Sequence, residues 1–218
     1  MLGRERVAQI ALLVPCGVLV ALMAEAWPVT VDDAFISLRH ARNWVERGAL
    51  SFDPAERIEA YSNFAAVVLA SAVLRTGGDP VLAAKVLGAA CALGSLALTF
   101  LLARRAGAGP GWALLGAGIL SVSTGMGFWA VSGLETALFA LLLTSGVWLL
   151  ASGRAANALT CAVLLLAVLT RVEGPVLVAA AIAAHILVRH RGGQSARAIA
   201  RESAWLGVLA AGYGAYFL

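Results

Sequence analysis

The chain has 218 residues, 61% of them hydrophobic and only 13% charged, and its mean hydropathy is +0.88. A soluble domain carries about a quarter of its residues as charges, so a water-soluble globule is excluded. The net charge is +4, and no nucleic-acid partner is expected. The apolar runs do not alternate with polar residues as the strands of a membrane barrel do. Helices are the remaining way to satisfy a backbone in lipid, so an all-α, polytopic membrane protein is expected.

In chain order, apolar stretches at 7–23, 80–103, 112–131, 134–152, 156–170, 174–188 and 203–218 predict about seven transmembrane helices, since a hydrocarbon core of about 30 Å takes about 20 helical residues. The first of them follows Arg4 and Arg6 and ends near Ala24-Glu25-Ala26, a pattern shared with signal peptides. An uncleaved first span is expected, because the chain beyond it is itself membrane-embedded. Residues 25–79 form the one long polar loop of a single domain covering 1–218. Within it, 34–47 reads as a short amphipathic helix with Phe35, Leu38, Ala41, Trp44 and Val45 on one face and Arg39, Arg42, Asn43 and Glu46 on the other, suited to lying along a membrane. The apolar stretch 64–74 is too short to cross and is read as a second interfacial helix. Cys16, Cys91 and Cys161 stand singly in apolar runs and read as small core residues.

Charge fixes the expected orientation. With the amino terminus inside, the inner segments hold nine arginines (Arg4, Arg6, Arg104, Arg105, Arg154, Arg189, Arg191, Arg197 and Arg201) against Glu5 and Glu202, in keeping with the positive-inside rule. The remaining ten acids then fall on the extracytoplasmic face. Counting 64–74 as a crossing would move most of the arginine clusters outside, which supports the interfacial reading. No G-x-x-x-x-G-K-[ST] or G-x-G-x-x-G string occurs, which argues against an ATP-driven transporter.

The adjacent Asp32 and Asp33, shortly after the first span, are the strongest pointer to chemistry. They have a structural reading too: Asp32 suits the N-cap of helix 34–47, with Asp33 in its first turn. A cap needs only one short polar side chain, which leaves the second acid to explain. Ser132-Gly-Leu-Glu135 fits a capping box, and Arg171-Val-Glu173 fits a local ion pair at the turn made by Gly174-Pro175. All of these groups arrive at one membrane boundary, where ionisable residues are costly and mark sites.

Four strings in order, VDDAFISLRHARN at 31–43, FDPAERIEAYSN at 52–63, SGLETALF at 132–139 and LTRVEG at 169–174, resemble the GT-C superfamily of polyprenyl-phosphosugar-dependent glycosyltransferases. Within it they are most similar to the actinobacterial terminal arabinofuranosyltransferase branch. The resemblance covers the amino-terminal half of such proteins. Relatives continue through several more spans, so the chain is expected to be part, or a split or degenerate copy, of a larger transferase. What it implies is transfer of a sugar, arabinofuranose in that branch, from a polyprenyl-phosphate donor to a cell-envelope glycan or lipid acceptor at the extracytoplasmic face of a bacterial plasma membrane. A carboxylate must draw off the acceptor proton. That role falls to Asp33, with Asp32 as cap or partner, the two being interchangeable. Arg171, Lys85, Arg57 and Arg39 are candidates for the leaving phosphate. Glu135, Glu59, Tyr61 and Asn63 are the expected sugar-side contacts, and Glu173 is a further substrate-binding candidate. Some superfamily members use a divalent cation, which paired acids could bind, but two carboxylates alone are weak evidence for a metal. The competing reading is a non-enzymatic membrane protein, a transporter or an assembly partner. Charges gathered at one boundary, with the central depths apolar, favour surface chemistry over a through-path.

Overall fold

The first span runs as helix from Arg6 to Ala26, made of α1 (Arg4–Ala11) and α2 (Leu13–Ala26) joined at Leu12. Pro15 causes the irregularity: it has no N–H to give the Ala11 carbonyl, and its ring crowds that oxygen. This computed structural model describes residues 3–53, 55, 56, 58–153, 157–204, 208 and 211–213. Among them the secondary structure is helical, with no strand.

The second long span is α5 (Pro80–Arg105), 26 residues. Its start is well specified. The Asp79 carboxylate accepts from the N–H groups of Val81 at 2.8 Å and Leu82 at 3.2 Å, and Pro80 occupies the first turn, where its missing N–H costs nothing. Arg104 and Arg105 end the helix, favourable at the negative end of its dipole.

These two helices are long and apolar enough to cross a membrane. Among the described residues a third is reached by counting a broken pair as one span. The expected span 112–131 is two helices, α6 (Pro110–Ser121) and α7 (Thr124–Ala130), bent by 61°. Ser123 caps the new helix by accepting from the Met126 N–H at 3.4 Å, and glycines let α7 wedge inward. A Cβ on Gly127 would lie 2.8 Å from the Leu22 Cβ, and one on Gly88 of α5 would fall onto the Ala130 carbonyl oxygen. Backbones approach closely here because small residues line the contact. The same economy marks the core, where Leu19, Leu96 and Phe100 pack among Ala92, Ala113, Ala117 and Ala130.

Between the long spans lie α3 (Ala34–Arg47) and α4 (Phe64–Arg75). The 12 residues of α4 are too few to cross, as the sequence predicts. The helices are pinned together by aromatic contact of Trp44 with Phe64, ring centroids 6.5 Å apart, and by the Arg75 guanidinium over the Trp44 ring.

The chain divides into two compact units, 1–141 and 142–218, with α8 (Thr136–Ala151) contributing to each. The second unit continues with α9 (Ala158–Thr170), α10 (Gly174–Arg191) and α11 (Ala196–Ser203). Helices α8 and α9 are apolar and short, 16 and 13 residues, and they meet closely where Gly146 faces Leu164. Helix α11 lies where the sequence reads a loop; Ser195 caps it, accepting from the Ala198 N–H at 3.3 Å. Most of the expected span 203–218 lies outside the described residues. Leu13, Val14, Trp112 and Val176 are each at least 70% exposed, an apolar exterior suited to lipid.

Candidate functional site

The segment that carries the acid pair is fixed from two sides. Lys85 of α5 is buried, and its Nζ donates to the carbonyl oxygens of Trp27 at 2.6 Å and Val29 at 2.8 Å. The Val31 N–H donates to the Ser132 carbonyl at 3.0 Å. Gly133, at φ 91°, brings the 132–135 turn so close that a Cβ there would sit 3.2 Å from both the Ala34 Cβ and the Thr30 Cγ2. The sequence nominates Lys85 as a phosphate ligand. In the structure its ammonium is a latch holding the 27–31 segment against α5.

The start of α3 differs from expectation by one residue. The cap position falls on Asp33 rather than Asp32, and no side-chain capping bond forms there. Asp32 Oδ1 instead accepts from the Asp33 N–H at 3.1 Å. The Asp33 carboxylate is exposed and, among the described residues, has no hydrogen-bond partner. The pair is therefore not consumed by capping.

The faces of α3 also need correction. Arg39, Arg42 and Glu46 are exposed as expected, but Asn43 is buried and Phe35 is 52% exposed. The buried face is Ala34, Ser37, His40, Ala41 and Asn43, at helical spacing but with three polar members of five. Each polar member has a partner, which makes its burial tolerable. Asn43 Nδ2 donates to the carbonyls of Ser51 at 2.9 Å and Phe52 at 3.0 Å. His40 contacts the Ile36 carbonyl through Nδ1 at 2.8 Å and accepts from the Ala60 N–H through Nε2 at 3.2 Å. Those partners set the neutral tautomer with its proton on Nδ1. Arg39 donates to the Phe52 carbonyl at 3.0 Å and lies over that ring at 4.4 Å. So Arg39, His40 and Asn43 clamp Ser51, Phe52 and Ala60 onto α3. Arg39 is occupied as a loop anchor, and Tyr61 packs edge-on against His40 with centroids 4.9 Å apart. Glu59 is exposed. The sequence reading gives His40 no role and puts Asn43 only on the polar outer face of the helix. Their hint was position, since they share a helical face with Ser37.

The third buried polar group of that face leads to the site's centre. Ser37 Oγ donates to Asn63 Oδ1 at 2.8 Å, and Asn63 Nδ2 donates to Glu135 Oε2 at 2.7 Å. This chain joins α3, the residue before α4 and the residue before α8. The Ser132 hydroxyl donates to the Trp129 carbonyl at 3.1 Å and accepts from the Leu134 N–H at 3.3 Å, so it closes a local turn, while the Glu135 carboxylate engages Asn63.

The Ser37–Asn63–Glu135 chain forms the polar end of a cavity of about 460 Å³ between α3, α4, α5 and the start of α8. Its walls are otherwise mainly apolar, with Leu69, Val73, Leu87 and Leu138 among them. Ala34 and Ser37, the helical neighbours of the acid pair, line it, whereas Asp32, Asp33 and Lys85 do not. The volume is in the range of small-molecule sites, and an apolar cleft with a few convergent polar groups is their usual form.

In the second unit, Arg171 and Glu173 make the expected local pair. Arg171 Nε donates to Glu173 Oε2 at 3.1 Å, and a second guanidinium N–H donates to Oε1 at 3.2 Å. The hydrogen bond from Arg171 holds the Glu173 carboxyl below its ordinary value. Gly174 makes the turn possible, because a Cβ there would lie 2.6 Å from the Ala167 carbonyl oxygen. Arg57 lies outside the described residues. Among the described residues no three His, Cys, Asp or Glu side chains are grouped to hold a metal ion.

No protein-family model, curated protein or solved structure matches the chain.

Proposed function

We propose that this protein is a membrane glycosyltransferase of GT-C type, moving a sugar from a polyprenyl-phosphate donor to a cell-envelope glycan or lipid acceptor. The observation that carries the proposal is the apolar cavity ending in Ser37, Asn63 and Glu135, with the Asp32–Asp33 segment tied to its rim through the Val31–Ser132 bond. A lipid-borne substrate needs an apolar slot opening onto polar groups, and a hydroxyl nucleophile needs a carboxylate within reach. In the reaction an acceptor hydroxyl oxygen bonds to the anomeric carbon as that carbon's bond to the phosphate oxygen breaks. The phosphate leaves on its polyprenyl chain, and the acceptor proton passes to Asp33. The four ordered strings of the GT-C resemblance supply the reaction class. The arginine-rich side supplies the orientation: amino terminus cytoplasmic, about seven crossings, acids outside, in a bacterial plasma membrane. Arabinofuranose is the first sugar to try.

The test is transfer of labelled sugar from a polyprenyl-phosphate arabinofuranose or hexose donor to a glycan acceptor by the protein in vesicles. Asp33→Asn is expected to lower transfer about 100-fold or more, the worth of a general base, while membrane insertion is unchanged. Full activity in both Asp33→Asn and Asp32→Asn overturns the base assignment. Absence of transfer from every donor overturns the glycosyltransferase reading.

A further inference from the structure

We infer that the cavity between α3, α4, α5 and the start of α8 is loaded sideways from the bilayer and holds the head-proximal part of one hydrocarbon chain. The rest of that chain stays in the lipid, and Ala70 and Ala84 set the width the cavity admits. This rests on the glycosyl-transfer reading and assigns the entry route and chain selectivity of its lipid-borne substrate. The exposure of the lining residues shows where the cavity opens. At its polar end Ala34, Ser37 and Asn63 are buried. On the other side Leu69 of α4 and Leu87 of α5 line the cavity and are 42% and 38% exposed, so the mouth lies between those two helices. Val68, Leu82 and Val86, on the same helices, are exposed as well, which makes the surround of the mouth apolar. Leu87 lies eight residues past the Asp79 cap, about 12 Å along α5 at 1.5 Å per residue. With α5 crossing, that depth falls inside a hydrocarbon core of about 30 Å, and the mouth meets lipid chains instead of water.

Hydrocarbon is what such a space takes up. Apolar cavities stay dry, and an empty one forfeits the dispersion contacts of its lining. The volume of about 460 Å³ holds about 15 groups the size of a water molecule, at roughly 30 Å³ each, and a methylene is of similar size. That accommodates the start of one chain, whereas the two chains of a diacyl lipid exceed it. A sealed cavity would measure the length of its occupant. An open mouth lets a longer chain run on into the bilayer, so length beyond the cavity is not selected, and width becomes the selective dimension. Ala70 and Ala84 line the cavity from α4 and α5, and a large side chain at either position would take space the occupant needs. A chain seated along Leu69, Val73 and Leu87 brings its head to the end where Ala34, the residue after Asp33, lines the cavity.

Three photoreactive probes decide the matter, each with a hydroxyl head and a diazirine in the carbons next to it, added at equal mole fraction to the protein in phosphatidylcholine vesicles. One is a polyprenol of about 15 carbons, the length that fills the cavity, one is a polyprenol about three times as long, and one is a two-chain diacylglycerol. The two polyprenols are expected to label residues 66–73 and 83–88 saturably and within about twofold of each other, and the diacylglycerol about tenfold less. Ala70→Phe and Ala84→Phe are each expected to lower polyprenol labelling about tenfold, the worth of one overpacked side chain. Equal labelling by the diacylglycerol, a several-fold preference for the short polyprenol, or absence of saturable polyprenol labelling overturns the inference, as does full labelling in both alanine variants. The comparison of probes on the unaltered protein stands if either variant fails to fold. Sugar transfer in the same vesicles judges the glycosyltransferase reading separately. Equal diacylglycerol labelling with transfer intact overturns this inference alone, and the expected labelling without transfer from any donor overturns the reaction and leaves the chain site standing.

Discussion

Asp33 and Glu173 are both acids at the start of a helix, and the structure treats them differently. Asp33 occupies the cap position of α3 without capping it and is exposed, whereas Glu173 before α10 is held in two hydrogen bonds by Arg171. The second case has a testable pH dependence. A carboxyl whose folded value is lowered contributes stability above its unfolded value and loses it as pH falls through the folded one. Arg171 and Glu173 are both partly exposed, with 29% and 51% of their side-chain surface open, so screening limits the pair to about 1 kcal/mol or less. Glu173→Gln is thus expected to lower thermal stability slightly at neutral pH. The difference should vanish in acid below the usual glutamate range, as followed by unfolding in detergent. A gap that persists unchanged into acid would show that the pair is not its source.

At the scale of elements, the polar face of α3 and the latch from α5 do the positioning. Lys85 joins α5 to the segment that leads into the acid pair, so it is a positioning residue. Lys85→Met leaves two carbonyls without their donor and is expected to cost about 1–3 kcal/mol of stability. The proposed sugar transfer should fall with it, and Lys85→Arg, which keeps a donor, should restore part of both. Unchanged melting in Lys85→Met would contradict the latch. The helix bounds themselves were largely legible. The stretches 80–103 and 64–74 correspond to α5 and α4 because Asp79-Pro80 and the basic residues Arg75, Arg104 and Arg105 punctuate them. The break between α6 and α7 was not legible, since a Ser-Thr-Gly run inside an apolar stretch continues or breaks a helix according to what packs beside it. Gly127 against Leu22 and Gly88 against Ala130 decided that.

For the whole molecule, orientation is the decisive property. In a chain whose three cysteines are replaced by alanine, a membrane-impermeant maleimide applied to intact cells is expected to label Asp53→Cys and to spare Ala108→Cys. The reverse pattern would invert the topology and move the acid pair to the cytoplasmic side.

The sequence alone determined the class and the nominations. Continuous apolar runs admit only helices in lipid, the arginine distribution gives them an expected orientation, and scarce acids in an apolar chain stand out as candidates for chemistry. Asp32, Asp33, Asn63 and Glu135 were all visible in this way. Only the tertiary structure decided which of them share a site. It joins Asn63 to Glu135, 72 residues further along the chain, and adds Ser37, which a one-dimensional reading leaves as an unremarked helix residue. It also assigns Lys85 and Arg39 to backbone carbonyls. The physical reason is that a charge reads the same in any string, while its role depends on which acceptor lies within about 3 Å, and packing alone sets that distance.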